Sequence, residues 1–135
     1  MKRKLIAFDI DGTLLGTDKK ALDSTREALV QLKEAGHLVT VATGRSRYLA
    51  RDVIRDLDFE NYIVCNGSAA FLSHNQVFKH LLDANELDRL VTTANQQGID
   101  TAFIEMDRAR RLTSNNVGAM AQAMMSFGAG VPEFD

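Results

Sequence analysis

Tryptophan is absent from the 135 residues, and cysteine and proline occur once each. The lone cysteine, Cys65, cannot close an internal disulfide, which excludes a disulfide-stapled scaffold and fits a reducing compartment. No uncharged apolar run approaches the ~20 residues that a membrane-spanning helix needs. Lys2, Arg3 and Lys4 have the charge of a signal-peptide n-region, but Asp9 and Asp11 interrupt the apolar stretch behind them. A secretory signal is therefore not expected, and the location read from these features is cytoplasmic. Charge of one sign is also missing: sixteen Lys and Arg face eighteen Asp and Glu, for a net charge of −2. Such a balance supplies no general attraction to nucleic acid, so neither nucleic acid nor membrane is an expected partner.

What is present suits a compact globule. A content of 45% hydrophobic and 25% charged residues lies near the soluble globular average and argues against disorder and collagen. A chain of this length buries roughly 68% of the surface that its unfolded form exposes, enough for a real core.

Leu5–Phe8 (LIAF) is a short apolar run closed by acidic residues and Gly12, the pattern of a buried strand. Ser24 and Glu27 have capping-box spacing and open a helix with apolar positions at Ala28, Leu29, Leu32 and Ala35 and a stop at Gly36. Leu38–Ala42 (LVTVA) is a second strand, rich in β-branched residues, leading into Thr43, Gly44 and Arg45. Leu49, Ala50, Val53, Ile54 and Leu57 mark a second helix, and Tyr62–Cys65 (YIVC) a third strand closed by the turn pair Asn66 and Gly67. Strand, helix, strand, helix, strand with short links predicts an α/β fold with a parallel sheet and right-handed crossovers.

The pattern then changes. Ala69–Leu72 and Val77–Leu82 flank residues 73–76 as a β-hairpin. Asp83 and Glu86 have a capping spacing before Leu87, Leu90, Val91 and Ala94, with a stop at Gly98. Thr101–Ile104 reads as a strand. Val117, Met120, Ala121, Met124 and Phe127 space out one more helix.

The chemistry concentrates in Asp9–Leu15 (DIDGTLL). Residues i and i+2 of an extended segment point the same way, so Asp9 and Asp11 project together from the strand's C-terminal end, where ligands bind in open parallel sheets. Two carboxylates so close need a proton or a cation between them, and an oxygen-only site suits Mg²⁺. Gly12 allows backbone N–H groups to approach an anion such as phosphate. The second strand brings the Thr43 hydroxyl, Gly44 and the Arg45 cation to the same edge, a set that suits phosphoryl transfer. Taken alone, Asp-x-Asp-Gly also serves polar loops and calcium turns. An EF-type calcium loop, however, needs further acidic ligands where Leu14 and Leu15 stand.

Together these segments resemble a known family. Asp9–Leu15 looks like the first motif of the haloacid dehalogenase superfamily of phosphotransferases, and Ala42–Arg45 (ATGR) like its second. The Asn66 and Gly67 turn is similar to that of the Cof-type (subfamily IIB) branch, whose cap is inserted after this point. The resemblance implies a Rossmann-like core over residues 1–80, followed by the beginning of an α+β cap over 81–135. It implies a Mg²⁺-dependent phosphatase acting on a small phosphorylated metabolite such as a sugar phosphate. In that scheme Asp9 is the nucleophile, and Asp11 is the acid and then the base. The Asp9 carboxylate and the Asp11 carbonyl hold the metal. Thr43, with backbone N–H groups near Gly12 and Gly44, holds the phosphoryl oxygens, and Arg45 and Asn66 lie near the substrate or the cap entrance. The family's third motif, a lysine, and its fourth, an acidic pair, have no counterpart after Gly67, since Lys79 falls in the hairpin. The chain thus reads as an N-terminal half, with weak or no turnover expected of it alone.

Two other readings stay open. One is a catalytically impaired fragment that binds or oligomerises, with self-association through an exposed first-strand edge. The other is a phospho-accepting signalling domain, disfavoured because Cys65, Asn66 and Gly67 stand where a third-strand acceptor Asp would be. Cys65 reads as a structural thiol, and His37, His74 and His80 as surface or turn residues. Arg108, Arg110 and Arg111 read as a solvated loop, and Met120, Met124 and Met125 as packing residues.

Overall fold

A computed structural model describes residues 2–111 together with 119, 120, 122 and 123. The chain divides into two units: residues 1–45 with 50–79, and residues 46–49 with the described residues from 80 onward.

In the first unit, strands β1 (Leu5–Phe8), β2 (Leu38–Ala42) and β3 (Tyr62–Val64) form where the apolar runs predict them. They pair in parallel, Phe8 opposite Val41 and Val41 opposite Tyr62, so their C-terminal ends lie along one edge. Helices α1 (Asp23–Glu34) and α2 (Arg47–Asp56) make the crossovers. The buried residues come from β2 (Val39, Val41), β3 (Val64), α1 (Leu29), α2 (Ala50, Val53, Ile54) and the following link (Leu57, Phe59). Two antiparallel strands, β4 (Ala69–Leu72) and β5 (Asn75–Lys79), extend the sheet in the order β1-β2-β3-β4-β5. Among the described residues β1 is therefore an edge strand, with Leu5 66% exposed. This is the mixed, Rossmann-like α/β architecture that the alternation of elements predicts.

Local details differ from the sequence pattern. The capping box does not form: α1 begins at Asp23, its N-cap is Leu22 with extended backbone, and no side chain caps it. Ser24 thus lies inside the first turn, two residues past the position from which a hydroxyl reaches N3. Of the expected apolar face only Leu29 is buried. The hairpin is tighter than expected, because Ser73 and His74 both take left-handed φ (48° and 63°) and make a two-residue turn. β5 consequently starts at Asn75 and ends at Lys79. β3 stops at Val64, and Cys65–Gly67 form a short 3-10 turn.

In the second unit, Asp83 caps helix α3 (Ala84–Gln96) as its spacing predicts, accepting the Glu86 N–H at 2.9 Å. None of Leu87, Leu90, Val91 and Ala94 is buried. Strand β6 (Ala102–Ile104) pairs antiparallel with β7 (Ala109–Arg111), so Arg110 and Arg111 lie in a strand rather than a loop. Glu105 accepts from the guanidinium groups of both Arg108 and Arg110, and these bonds hold its carboxyl below the ordinary range. Arg47, at the start of α2, makes a bidentate pair with Asp107 at 2.9 and 2.7 Å. Of the last expected helix, residues 119, 120, 122 and 123 are helical; Val117, Ala121, Met124, Met125 and Phe127 lie outside the described residues.

Candidate active site

Ile10 decides where the two aspartates point. It is 0% exposed, and its neighbours alternate outward, Asp9 exposed and Asp11 half-buried. The chain then folds back on itself. The Leu14 N–H donates to the Asp9 carbonyl at 3.3 Å, the Leu15 N–H to Ile10 at 3.0 Å, and the Gly12 N–H to Leu15 at 3.1 Å. Gly12 makes this turn with φ +76°, a value at which a side chain is strained although the space around it is open. Because its N–H is taken up by Leu15, Gly12 contributes the turn rather than a free donor.

Each carboxylate has a different environment. Asp9 Oδ1 accepts its neighbour's Ile10 N–H at 2.8 Å, and among the described residues the other oxygen has no partner. Asp11 is gripped by Arg45, Nε donating to Oδ2 at 3.0 Å and Nη2 to Oδ1 at 2.6 Å. The guanidinium expected at the substrate is therefore clamped on the second aspartate. Lys19 adds a second cation, its Nζ 3.6 Å from Asp11 Oδ1.

Sequence reasoning passed over Lys19. The available signal was a pair of lysines shortly after the acidic motif, in a turn closed by the Gly16 N–H to the Lys20 carbonyl at 3.1 Å. Lys19 itself holds φ 60° there, an uncommon value for a non-glycine residue.

Burial alone would raise the Asp11 carboxyl, but the hydrogen bonds and charge of Arg45, with those of Lys19, outweigh it and hold the group below its ordinary value of 3.8. A carboxyl lowered on folding stabilises the fold above its unfolded value, and that contribution disappears as the pH falls through the folded one. Arg45→Ala is expected to lower the melting temperature most between pH 5 and 7 as read by thermal denaturation, a range of ordinary carboxylate ionisation. The difference from the unsubstituted protein should shrink below pH 3.8. A difference independent of pH would show that the pair does not set it.

β2 delivers the other half of the site. Thr43 is buried, its N–H donating to the Ile63 carbonyl at 3.0 Å and its Oγ1 accepting the Arg45 N–H at 3.1 Å. That leaves the hydroxyl hydrogen to donate. Among the described residues the Gly44 N–H meets no acceptor. The Asn66 N–H donates to the Thr43 carbonyl at 3.2 Å and the Cys65 N–H to the Arg45 carbonyl at 2.8 Å. A chain of hydrogen bonds thus joins Asp11, Arg45, Thr43 and Asn66. Burial pushes the Cys65 thiol up, which suits a structural rather than a nucleophilic cysteine.

For a divalent ion the free donors are the second Asp9 oxygen and the Asp11 carbonyl, which no described N–H meets. They are hard oxygens of the kind Mg²⁺ takes, and Mg²⁺ commonly keeps several waters beside one or two protein ligands. Among the described residues no group of three or more His, Cys, Asp or Glu could hold a metal. The donors therefore fit the ion as part of a shell.

Residues 6–128 match the haloacid dehalogenase-like hydrolases. The chain belongs to this family. YkrA of Bacillus subtilis, which carries a phosphatase name, is 30% identical over all 135 residues, which correspond to 52% of its length. The pyridoxal phosphate phosphatase YbhA of Escherichia coli is 36% identical over 75 residues, 55% of this chain and 28% of that protein. A hypothetical protein from Geobacillus kaustophilus superposes with a TM-score of 0.88 at 29% identity, over 99% of this chain and 52% of that one. A subclass IIB sugar phosphatase of the superfamily shares the fold, with a TM-score of 0.71 at 22% identity over 98% of this chain and 51% of its own. The Cof-type assignment agrees with these. The haloacid dehalogenase-like chain spans about half the length of YkrA and of these two structures.

Proposed function

We propose that this haloacid dehalogenase-like chain carries the nucleophile and phosphate-holding half of a Mg²⁺-dependent phosphatase for small phosphorylated metabolites such as sugar phosphates. One observation carries the reading: Asp9 and Asp11 flank the fully buried Ile10 and emerge at the strand ends, with Asp11 bonded through Arg45 to the loop of Thr43. Residues 81–135 are the beginning of its cap.

The free oxygen of Asp9 attacks phosphorus and the bond to the leaving oxygen breaks; Asp11, once released from Arg45 and protonated from solvent, passes that proton to the leaving oxygen. Asp11 then takes a proton from the water that attacks the aspartyl-phosphate, releasing phosphate and restoring Asp9. The Thr43 hydroxyl and the Gly44 N–H donate to the phosphoryl oxygens, where charge develops. Asp9 and the Asp11 carbonyl would hold Mg²⁺, which when bound offsets negative charge as carboxylate and phosphate approach.

Phosphate release from a panel of sugar phosphates, followed by ³¹P NMR so that slow turnover registers, tests this directly. Release is expected to stop with EDTA and return with Mg²⁺. Release unaffected by EDTA would remove the metal from the scheme, and the absence of both release and covalent phosphorylation of Asp9 would remove the nucleophile.

A further inference from the structure

The loop that holds Thr43 and Gly44 is backed by a turn with an uncommon backbone. Cys65, Asn66 and Gly67 have φ of 54°, 54° and 91° in succession, a left-handed run that residues other than glycine seldom make. This run brings the chain alongside the loop, through the Cys65 N–H to the Arg45 carbonyl and the Asn66 N–H to the Thr43 carbonyl, at 2.8 and 3.2 Å. The Asn66 side chain lies against Gly44. A Cβ on Gly44 would stand 2.8 Å from Asn66 Oδ1, 3.5 Å from Cγ and 3.6 Å from Nδ2, its three nearest neighbours. Gly44 itself has no left-handed φ. Its backbone does not demand glycine, and a side chain there would have to push the Asn66 carboxamide aside.

We infer that Asn66 is a positioning residue, its carboxamide seated on Gly44 so that the Thr43–Arg45 loop presents its hydroxyl and N–H donors to an anion in one orientation. This rests on reading that loop as the phosphate site. Asparagine is suited to the place because it tolerates left-handed backbone better than most residues. Among the described residues the carboxamide of this exposed residue makes no hydrogen bond, so the turn's own conformation sets it beside Gly44.

The experiment measures affinity for inorganic phosphate in the presence of Mg²⁺ by calorimetry, alongside the melting temperature, on the whole chain. Asn66→Gly keeps the left-handed backbone without strain, so the melting temperature is expected to hold or rise. Phosphate affinity is expected to fall roughly fivefold to tenfold, the range in which one hydrogen bond is lost or misaligned. Gly44→Ala should displace the carboxamide and cause a similar fall, and the double variant should lose no more than either single one. Additive losses, or wild-type affinity in Asn66→Gly, would overturn the positioning role. Thr43→Ala separates the two levels. If it weakens phosphate binding while Asn66→Gly does not, only the role of Asn66 fails. If neither Thr43→Ala nor Asn66→Gly changes binding, or the unsubstituted chain binds no phosphate, the reading of the loop fails with it.

Discussion

Asp9→Asn is expected to abolish phosphate release and covalent labelling of the chain by a phosphoryl donor, while the protein stays folded. The carboxamide has nearly the shape of the carboxylate, and its oxygen can still accept the Ile10 N–H that Asp9 Oδ1 accepts at 2.8 Å. What it lacks is a charged oxygen able to displace the leaving group. Loss of a nucleophile that forms a covalent intermediate costs on the order of 10³–10⁶ in rate. Because Asp9 is exposed and makes no ion pair among the described residues, little stability rests on it. Mass spectrometry after incubation with acetyl phosphate and Mg²⁺ reads the label, and ³¹P NMR reads turnover. Labelling that persists in Asp9→Asn would place the nucleophile elsewhere, with Asp11 the first residue to examine.

Ile10→Ala is expected to have the largest effect on stability. The side chain is 0% exposed, and Leu14 and Leu15 are buried in the same turn at 3% and 8% exposure. Truncating a fully buried isoleucine costs about 2–5 kcal/mol, from lost transfer energy and the cavity left behind. A domain of this size has roughly 5–15 kcal/mol in total, so a third of the stability is at stake. Ile10 is also the residue whose burial turns both neighbours outward, so the folded fraction should bind phosphate and Mg²⁺ more weakly. Urea denaturation gives the first effect and calorimetry the second. A loss below about 1 kcal/mol, the level of an ordinary surface substitution, would mean that the turn repacks around the gap.

β2 and β3 were legible in the sequence as near-continuous apolar runs between turn residues, the pattern of covered strands, whereas LIAF, which reads as a buried strand, forms β1 with no residue buried. β1 and β2 fall where LIAF and LVTVA stand. The helix start at Asp23 was not legible, since Ser24 and Glu27 have the right spacing and only the backbone of Leu22 decides which residue flanks the helix. Nor was the β6–β7 hairpin, whose second strand reads as a basic cluster until Glu105 is seen between Arg108 and Arg110. At the site, the positions of Asp9, Asp11 and Thr43 follow from strand ends and alternation. The clamp of Arg45 on Asp11 and the approach of Lys19 depend on how loops far apart in sequence meet, and no local spacing encodes that. The closeness of the Asn66 carboxamide to Gly44 belongs to the same class, because the two residues are twenty-two positions apart.

The edge position of β1 has a mechanical consequence. Its four-rung ladder to β2 ties it on one flank only among the described residues, whereas β2 and β3 are bonded on both. Thermal opening at the rim would therefore carry Asp9 and Asp11 together as a pair and leave Thr43, Gly44 and Asn66 in place. The bidentate grip of Arg45 on Asp11 spans that seam like a rivet, and slower amide exchange at Phe8 and Ile10 is the signature by which its hold would be seen.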